Sequence, residues 1–74
     1  MLQHYKDHAI TLLAGLDEDA GGFVPEASIT WKTGAGNHIE HSFTSSILCA
    51  SRVWALALAL DQAKEWIDRR LDIN

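Results

Sequence analysis

The end of the chain has a hydrophobic pattern that is typical of a helix. From Ser51 to about Asp72 there is no Gly or Pro, and strong helix formers predominate. Ser51 is a suitable N-cap, while Arg69 and Arg70 lie where cations stabilise the C-terminal end of a helix. Apolar residues recur at spacings of three and four, which places on one helix face Val53, Leu56, Leu60, Ala63, Ile67 and Leu71.

Between Phe23 and Thr44 apolar and polar residues alternate, which is the period of a β-strand. The glycine-rich stretch 34–37 interrupts the alternation, so the segment predicts two strands joined by a turn. A three-residue loop over 34–36, with Gly36 in the left-handed conformation, keeps the apolar residues of both strands on one face. This register pairs Trp31 with Ile39, Ile29 with His41, and Ala27 with Phe43.

Residues 5–16 fit two patterns, because their apolar positions satisfy both a helical and a strand period. The β-branched Ile10 and Thr11 and the helix-weakening Gly15 favour a strand. A strand here, joined to the next by a loop of even length, would bring together on the inner face the pairs Leu16–Phe23, Leu12–Ala27 and Ile10–Ile29.

These elements predict an α+β fold in a single domain over residues 1–74. The expected architecture is a three-stranded antiparallel meander followed by one long C-terminal helix packed on one face. An α-β-β-α order is the alternative, if residues 5–16 are helical. Pro25 lacks a ladder donor, so we expect it near the start of its strand or at a bulge.

Composition narrows the class of protein. A hydrophobic content of 47% with 22% charged residues indicates a globular chain. The first residues lack the pattern of a signal peptide, and no apolar run is long enough to span a bilayer. The single cysteine, Cys49, excludes an internal disulfide and suits a reducing compartment. We therefore expect a soluble cytoplasmic protein.

The order of elements resembles a known family. The stretches that carry the resemblance are YKDHAITLLAG, DEDAGGFVPEASITW and ALDQAKEWIDRRL, with the WID of residues 66–68 at the helix end. Together they are similar to small bacterial β-β-β-α proteins related to the N-terminal domain of HicB-type antitoxins and to related uncharacterised families. The resemblance implies a domain that packs against a partner protein, and it carries over no functional residue.

The stretch GNHIEHSF contains the most conspicuous candidate chemistry. His38 and His41 are three residues apart, so in a strand they point to opposite faces. His38 and Glu40 share a face, but a zinc site needs three or four ligands. His4 and His8 would need Cys49 to complete a site. We expect no metal, cofactor or catalytic residue here.

His41 is predicted on the inner face of the sheet, beside Ile29 and below the helix. A histidine in such a position is most often a core residue. A general base or a contact that responds to pH is the functional alternative.

The strongest functional signal is apolar surface on the helix. Trp54 and Leu58 lie away from the predicted stripe, with Trp66 on its flank, so the first two turns are apolar nearly all round. A single three-stranded sheet covers only one side of such a helix. The other side is covered either by a second molecule or by the segment 44–50, which contains Ile47 and Leu48.

These observations predict a non-catalytic protein-binding or regulatory module, homodimeric or bound to another small protein, with Trp54, Leu58 and Trp66 at the interface. The alternative is a small nucleic-acid-binding protein. Its contacts would come from the basic residues of the C-terminal helix, Arg52, Lys64, Arg69 and Arg70. A net charge of −4 with only six Lys and Arg residues disfavours this alternative, because nucleic-acid binding requires clustered cations.

Overall fold

The computed structural model describes residues 1–72. In this part of the chain, four strands form one antiparallel sheet in chain order, and a single long helix follows them. The elements are β1 (Leu2–Tyr5), β2 (His8–Asp17), β3 (Gly22–Lys32), β4 (His38–Thr44) and α1 (Arg52–Asp72). The predicted α+β class is confirmed. The prediction of three strands is wrong, and so is the alternative with a helix over residues 5–16.

The additional strand arises because the chain reverses within the segment that was predicted as one strand. Lys6 and Asp7 both have positive φ, 46° and 63°, and β1 folds back on β2 with Tyr5 opposite His8. Positive φ at both central residues is the geometry of a type I′ turn, which matches the twist of the flanking strands. Such turns are usually recognised by Asn-Gly or Asp-Gly, and Lys-Asp lacks that signature.

The predicted registers are confirmed. Strand β2 pairs Leu16 with Phe23 and Ile10 with Ile29, while β4 places His41 opposite Ile29. Gly36 has a φ of 85°, as the three-residue loop requires. The backbone N–H of Thr33 donates to the carbonyl of Asn37 at 2.8 Å and closes this loop.

Pro25 is the fourth residue of β3, opposite Ala14 of β2. Its carbonyl accepts a hydrogen bond from the backbone N–H of Ser45 at 2.9 Å. The N–H and C=O of one residue point to the same neighbouring strand in an antiparallel ladder. The missing donor therefore faces the end of β4, and the β2–β3 ladder needs no N–H at this position.

Ser51 is the N-cap of α1, as predicted, because its Oγ accepts a hydrogen bond from the N–H of Trp54 at 3.2 Å. The buried face of the helix differs from the predicted stripe. Val53, which was predicted inside it, is 74% exposed, and Leu71 is 37% exposed. The buried residues are spaced by four: Ala55, Ala59, Ala63 and Ile67.

Alanines form this face because a helix with small side chains approaches the sheet closely. The larger Leu56 and Leu60 pack at one side of the contact, where they are partly buried. Alanine is a weak hydrophobic signal, so the leucines dominated the sequence pattern and shifted its apparent centre. The buried core lies between α1 and the central strands and contains Ile10, Leu12, Ala27, Ile29, Ala59, Ala63 and Ile67.

Candidate functional site

The solvent side of the first turns of α1 carries apolar side chains that are exposed or half-buried. Trp54 is 75% exposed and Val53 is 74% exposed. The exposed Ala57 and the half-buried Leu58 continue the same surface one turn later. We call these four residues the α1 patch. Asp61 borders it on the C-terminal side. The patch faces away from the sheet, because the buried alanines occupy the opposite side of the helix.

The segment before the helix does not cover Trp54. Its Ile47 and Leu48 are themselves 49% and 45% exposed. Cys49 holds the segment against the start of β3, since it exchanges two backbone hydrogen bonds of 2.8 Å with Phe23. The alternative cover that the sequence left open is therefore absent within residues 1–72.

Trp66 lies apart from the α1 patch. Residues 54, 58, 62 and 66 form one row spaced by four, which winds gradually around the helix from its solvent side towards β4. At the end of this row Trp66 is half-buried and stacks on the ring of His41, with centroids 4.2 Å apart and an interplanar angle of 7°. The structure thus brings Trp54 and Leu58 together and places Trp66 at the border with β4.

A shallow groove runs between α1 and the inner face of β4. His41, Phe43, Gln62 and Trp66 line it. The helix packs on β2 and β3, so the inner face of β4 is only partly covered. Ile39 of β4 remains 41% exposed on the inner side. We call this surface the β4 groove.

The histidines do not assemble a metal site within residues 1–72, where no three His, Cys, Asp or Glu side chains are close enough to hold an ion. His4 and His8 lie on opposite faces, since the turn between them pairs Tyr5 with His8 and His4 with Ala9. His8 is buried, and its Nδ1 donates to the carbonyl of Lys6 at 2.6 Å. His41 lies on the inner face, as predicted, and is half-buried there.

A polar cluster joins the last turns of α1 to the β1–β2 turn. The Nζ of Lys6 lies 2.6 Å from Oδ1 of Asp68, to which the hydroxyl of Tyr5 also donates at 2.9 Å. The hydrogen bond from Lys6 lowers the pKa of Asp68, and the bond from Tyr5 lowers it further. The same hydrogen bond to Asp68 raises the pKa of Lys6.

The basic residues of α1 are divided among several contacts. The guanidinium of Arg70 stacks over the ring of Trp31 at 4.3 Å, and the Nζ of Lys64 lies 5.3 Å from the centre of the Tyr5 ring. Arg69 forms an ion pair with Glu65. Arg52 is at the far, N-terminal end of the helix. Four cations spread in this way do not favour a nucleic-acid interface, and that alternative stays a prediction.

Two members of the α1 patch escaped the sequence analysis, which assigned Val53 to the buried stripe and Ala57 to neither face. The spacing of residues 53, 57 and 61 beside 54 and 58 is the signal that could have found them. The sequence contains no signal for the exposure of Ile39, because the alternation of apolar and polar residues in β4 is equally compatible with full coverage by the helix.

Comparison with protein-family models, curated proteins and solved structures finds no match for this chain. The HicB-type resemblance therefore stays an expectation. Within residues 1–72, no helix combines the length and the apolar character that crossing a bilayer requires. The described part of the chain is a small α+β fold with one sheet, one helix and an exposed apolar helix surface.

Proposed function

We propose that this protein is a non-catalytic protein-binding module that acts as a homodimer, with the α1 patch as its contact surface. One observation carries the proposal. Val53 and Trp54 are each about three-quarters exposed, side by side on the first turn of a well-capped helix. Contiguous exposed apolar surface rimmed by polar residues marks interaction sites in soluble proteins, and a tryptophan at its centre is the commonest anchor.

Two copies of the patch fit one another in an antiparallel helix pair. With Ala57 of each copy at the crossing point, its small side chain lets the two helices approach closely. Trp54 then packs beside Leu58 of the second copy, and the reverse contact follows by symmetry. Each indole is thereby removed from water by an apolar side chain.

Charge supports the same orientation. The first turn of α1 contains no acidic residue, so the positive end of its dipole lacks a carboxylate. In the antiparallel pair, Asp61 of one copy lies beside the N-terminal turn of the other, near its Val53. A parallel pair would instead place two N-terminal dipole ends together. Dipole and carboxylate therefore favour the antiparallel arrangement.

The proposed mechanism is occupancy: a protein that is bound to the α1 patch, here the second copy, is kept from other contacts. The HicB-type resemblance is consistent with such a regulatory role. The buried free thiol of Cys49 suits a reducing compartment, and we place the module in the cytoplasm.

Sedimentation of the wild type beside Trp54→Asp tests the proposal. Residue 54 is the third residue of α1, where a carboxylate is favourable for the helix dipole, so the substitution leaves the fold intact. We expect the variant to lose the α1 contact and with it half of the particle mass, because the charge would be buried without a partner.

Leu2→Asp is the matched control. Leu2 is 59% exposed, opposite Thr11 on the outer face of the sheet and away from α1, so this variant should sediment like the wild type. Equal masses for the wild type and a folded Trp54→Asp would contradict the proposal, with the fold checked by circular dichroism.

A further inference from the structure

Strand β4 has an open backbone edge. Hydrogen bonds join Thr33 to Asn37 and Ser45 to Pro25 just beyond the two ends of the β3–β4 ladder. Because bonding alternates along an antiparallel ladder, the odd-numbered residues of β4 bond to β3. The N–H and C=O groups of the even-numbered residues point outwards, and these residues are His38, Glu40, Ser42 and Thr44. Within residues 1–72 no strand lies beyond them.

Apart from the carboxylate of Glu40, this edge lacks the features that protect exposed strands from pairing. Proteins commonly block an edge with Pro, Lys, a bulge or a very short strand. The sequence of β4, HIEHSFT, has seven residues without Pro or Lys, and it pairs residue for residue with β3. The opposite edge, β1, has only four residues. The two edges of the sheet therefore differ, and β4 is the one suited to a further strand.

The inner face of β4 also extends beyond the part of the sheet that α1 covers. Ile39 is 41% exposed, and the half-buried Phe43 lines the β4 groove. A strand added at this edge would continue the apolar layer and cover both side chains. Backbone and side chains thus point to the same kind of occupant, an extended segment with apolar residues at alternate positions.

We propose that the occupant is β4 of a second copy, paired antiparallel about a two-fold axis at His41. In this register Glu40 faces Ser42 of the other copy and His38 faces its Thr44, so all four outward residues form hydrogen-bonded pairs. Ile39 packs against Phe43 of the other copy on the inner face. Four strands from each copy then form one continuous eight-stranded sheet.

Other two-fold registers are worse. A shift of two residues in one direction places Glu40 opposite Glu40, and like charges directly opposite one another destabilise a strand pair. A shift of two residues in the other direction leaves His38 without a partner. A shift of one residue places the outward residues of one copy opposite residues of the other copy whose N–H and C=O groups already bond to β3. Such pairs cannot exchange hydrogen bonds, so the ladder is lost. The register at His41 alone satisfies the whole strand without apposed charges.

This inference builds on the homodimer proposed above and adds a second contact to it. The α1 patch faces away from the sheet, whereas the β4 edge lies in the plane of the sheet. A copy bound at one of these surfaces therefore leaves the other surface accessible to a further copy. We take the two two-fold axes to cross at right angles, so that a chain using both contacts closes into a four-copy assembly of the symmetry that is common among tetramers.

Ser42→Pro tests the β4 contact. The N–H of Ser42 points away from β3, so proline at this position removes no backbone hydrogen bond within the chain but blocks the pairing with a second strand. It also removes the hydrogen bonds that the hydroxyl of Ser42 donates to Ser28 and Glu40. Ser42→Ala keeps the N–H and is the matched control. Sedimentation should show four copies for the wild type and for Ser42→Ala, two for Ser42→Pro, two for Trp54→Asp and one for the double variant.

Hydrogen exchange of the backbone amides adds a local readout. In the assembled wild type the outward amides of β4, such as those of Glu40 and Thr44, should be protected, and in Ser42→Pro they should exchange freely. Free exchange in the wild type, with an unchanged mass for Ser42→Pro, would overturn the β4 pairing and leave the edge to a segment of another protein. The α1 contact would stand in that case.

The reverse result separates the two proposals. If Ser42→Pro halves the mass and Trp54→Asp does not, the β4 pairing holds and the α1 contact fails. A monomeric wild type would overturn both.

Discussion

Asp68 shows how much of the architecture depends on single side chains. It lies on α1 and accepts hydrogen bonds from Tyr5 and Lys6, at the other end of the chain. Neither its type nor its position in the helical pattern distinguishes it from the solvated carboxylates around it. The contact exists because the β1–β2 turn brings Lys6 under the last turns of α1, and pattern reasoning could not foresee it.

The shifted pKa of Asp68 predicts a stability that depends on pH. Its pKa is lowered from the usual 3.8, so its contribution to folding is fully present above that value and is lost as the pH falls through the depressed folded-state pKa. Asp68→Asn should therefore flatten the fall in unfolding free energy in this acid range, as measured by urea unfolding. A double-mutant cycle with Lys6→Met checks the cause, because Asp68→Asn should change this slope much less when Lys6 is already absent.

For His41 the sequence predicted the correct face of the sheet, but it did not predict the contact with Trp66. Alternation put His41 on the inner face opposite Ile29, and the structure agrees. Its flat stacking on Trp66 depends on where the helix lies across the sheet, and a strand pattern carries no information on that position. The position of the helix across the sheet also separates Trp66 from the surface formed by Trp54 and Leu58.

The β1–β2 hairpin is the element that sequence reasoning missed. A two-residue turn needs positive φ at both positions, and non-glycine residues adopt it at a cost. Lys6 and Asp7 adopt it because the pairing of Tyr5 with His8 and the bond from Lys6 to Asp68 hold the turn in place. Tertiary contacts thus replace the local Asn-Gly or Asp-Gly signal.

Asp7→Gly should therefore stabilise the protein. Glycine adopts the φ of 63° without steric strain, and relief of this strain should exceed the greater entropy of glycine in the unfolded chain. We expect a gain of about 0.5–1 kcal/mol in unfolding free energy. Urea unfolding at one protein concentration measures it. Asp7→Val should lower stability, because a β-branched residue tolerates positive φ poorly; equal stability of the two variants would contradict the strain argument.

At the scale of the whole molecule, two layers leave two surfaces without cover. The helix packs against β2 and β3 of the four-stranded sheet, so among residues 1–72 nothing covers the solvent side of α1 or the edge of β4. The first surface exposes Trp54 and the second exposes Ile39. Their coexistence in a chain of 74 residues is the basis for both proposed contacts.

Self-association predicts a thermal stability that depends on concentration. Assembly favours the folded state by mass action, so the Tm of the wild type should rise as protein concentration rises. The double variant Trp54→Asp/Ser42→Pro should unfold at a Tm that does not change with concentration. Differential scanning fluorimetry over a hundredfold concentration range makes the comparison, and a constant wild-type Tm would contradict the assembly.

The sequence by itself determined the properties that depend on local period and parity. Alternation and loop length decided which residues of β2, β3 and β4 pair and which face is apolar, because a one-residue slip would expose the whole apolar set. Helix formers and Ser51 decided where α1 begins. Tertiary structure alone decided the reversal at Lys6 and the rotation of α1 onto its alanines. Both depend on close approach between distant segments, which the apolar period of one segment does not specify.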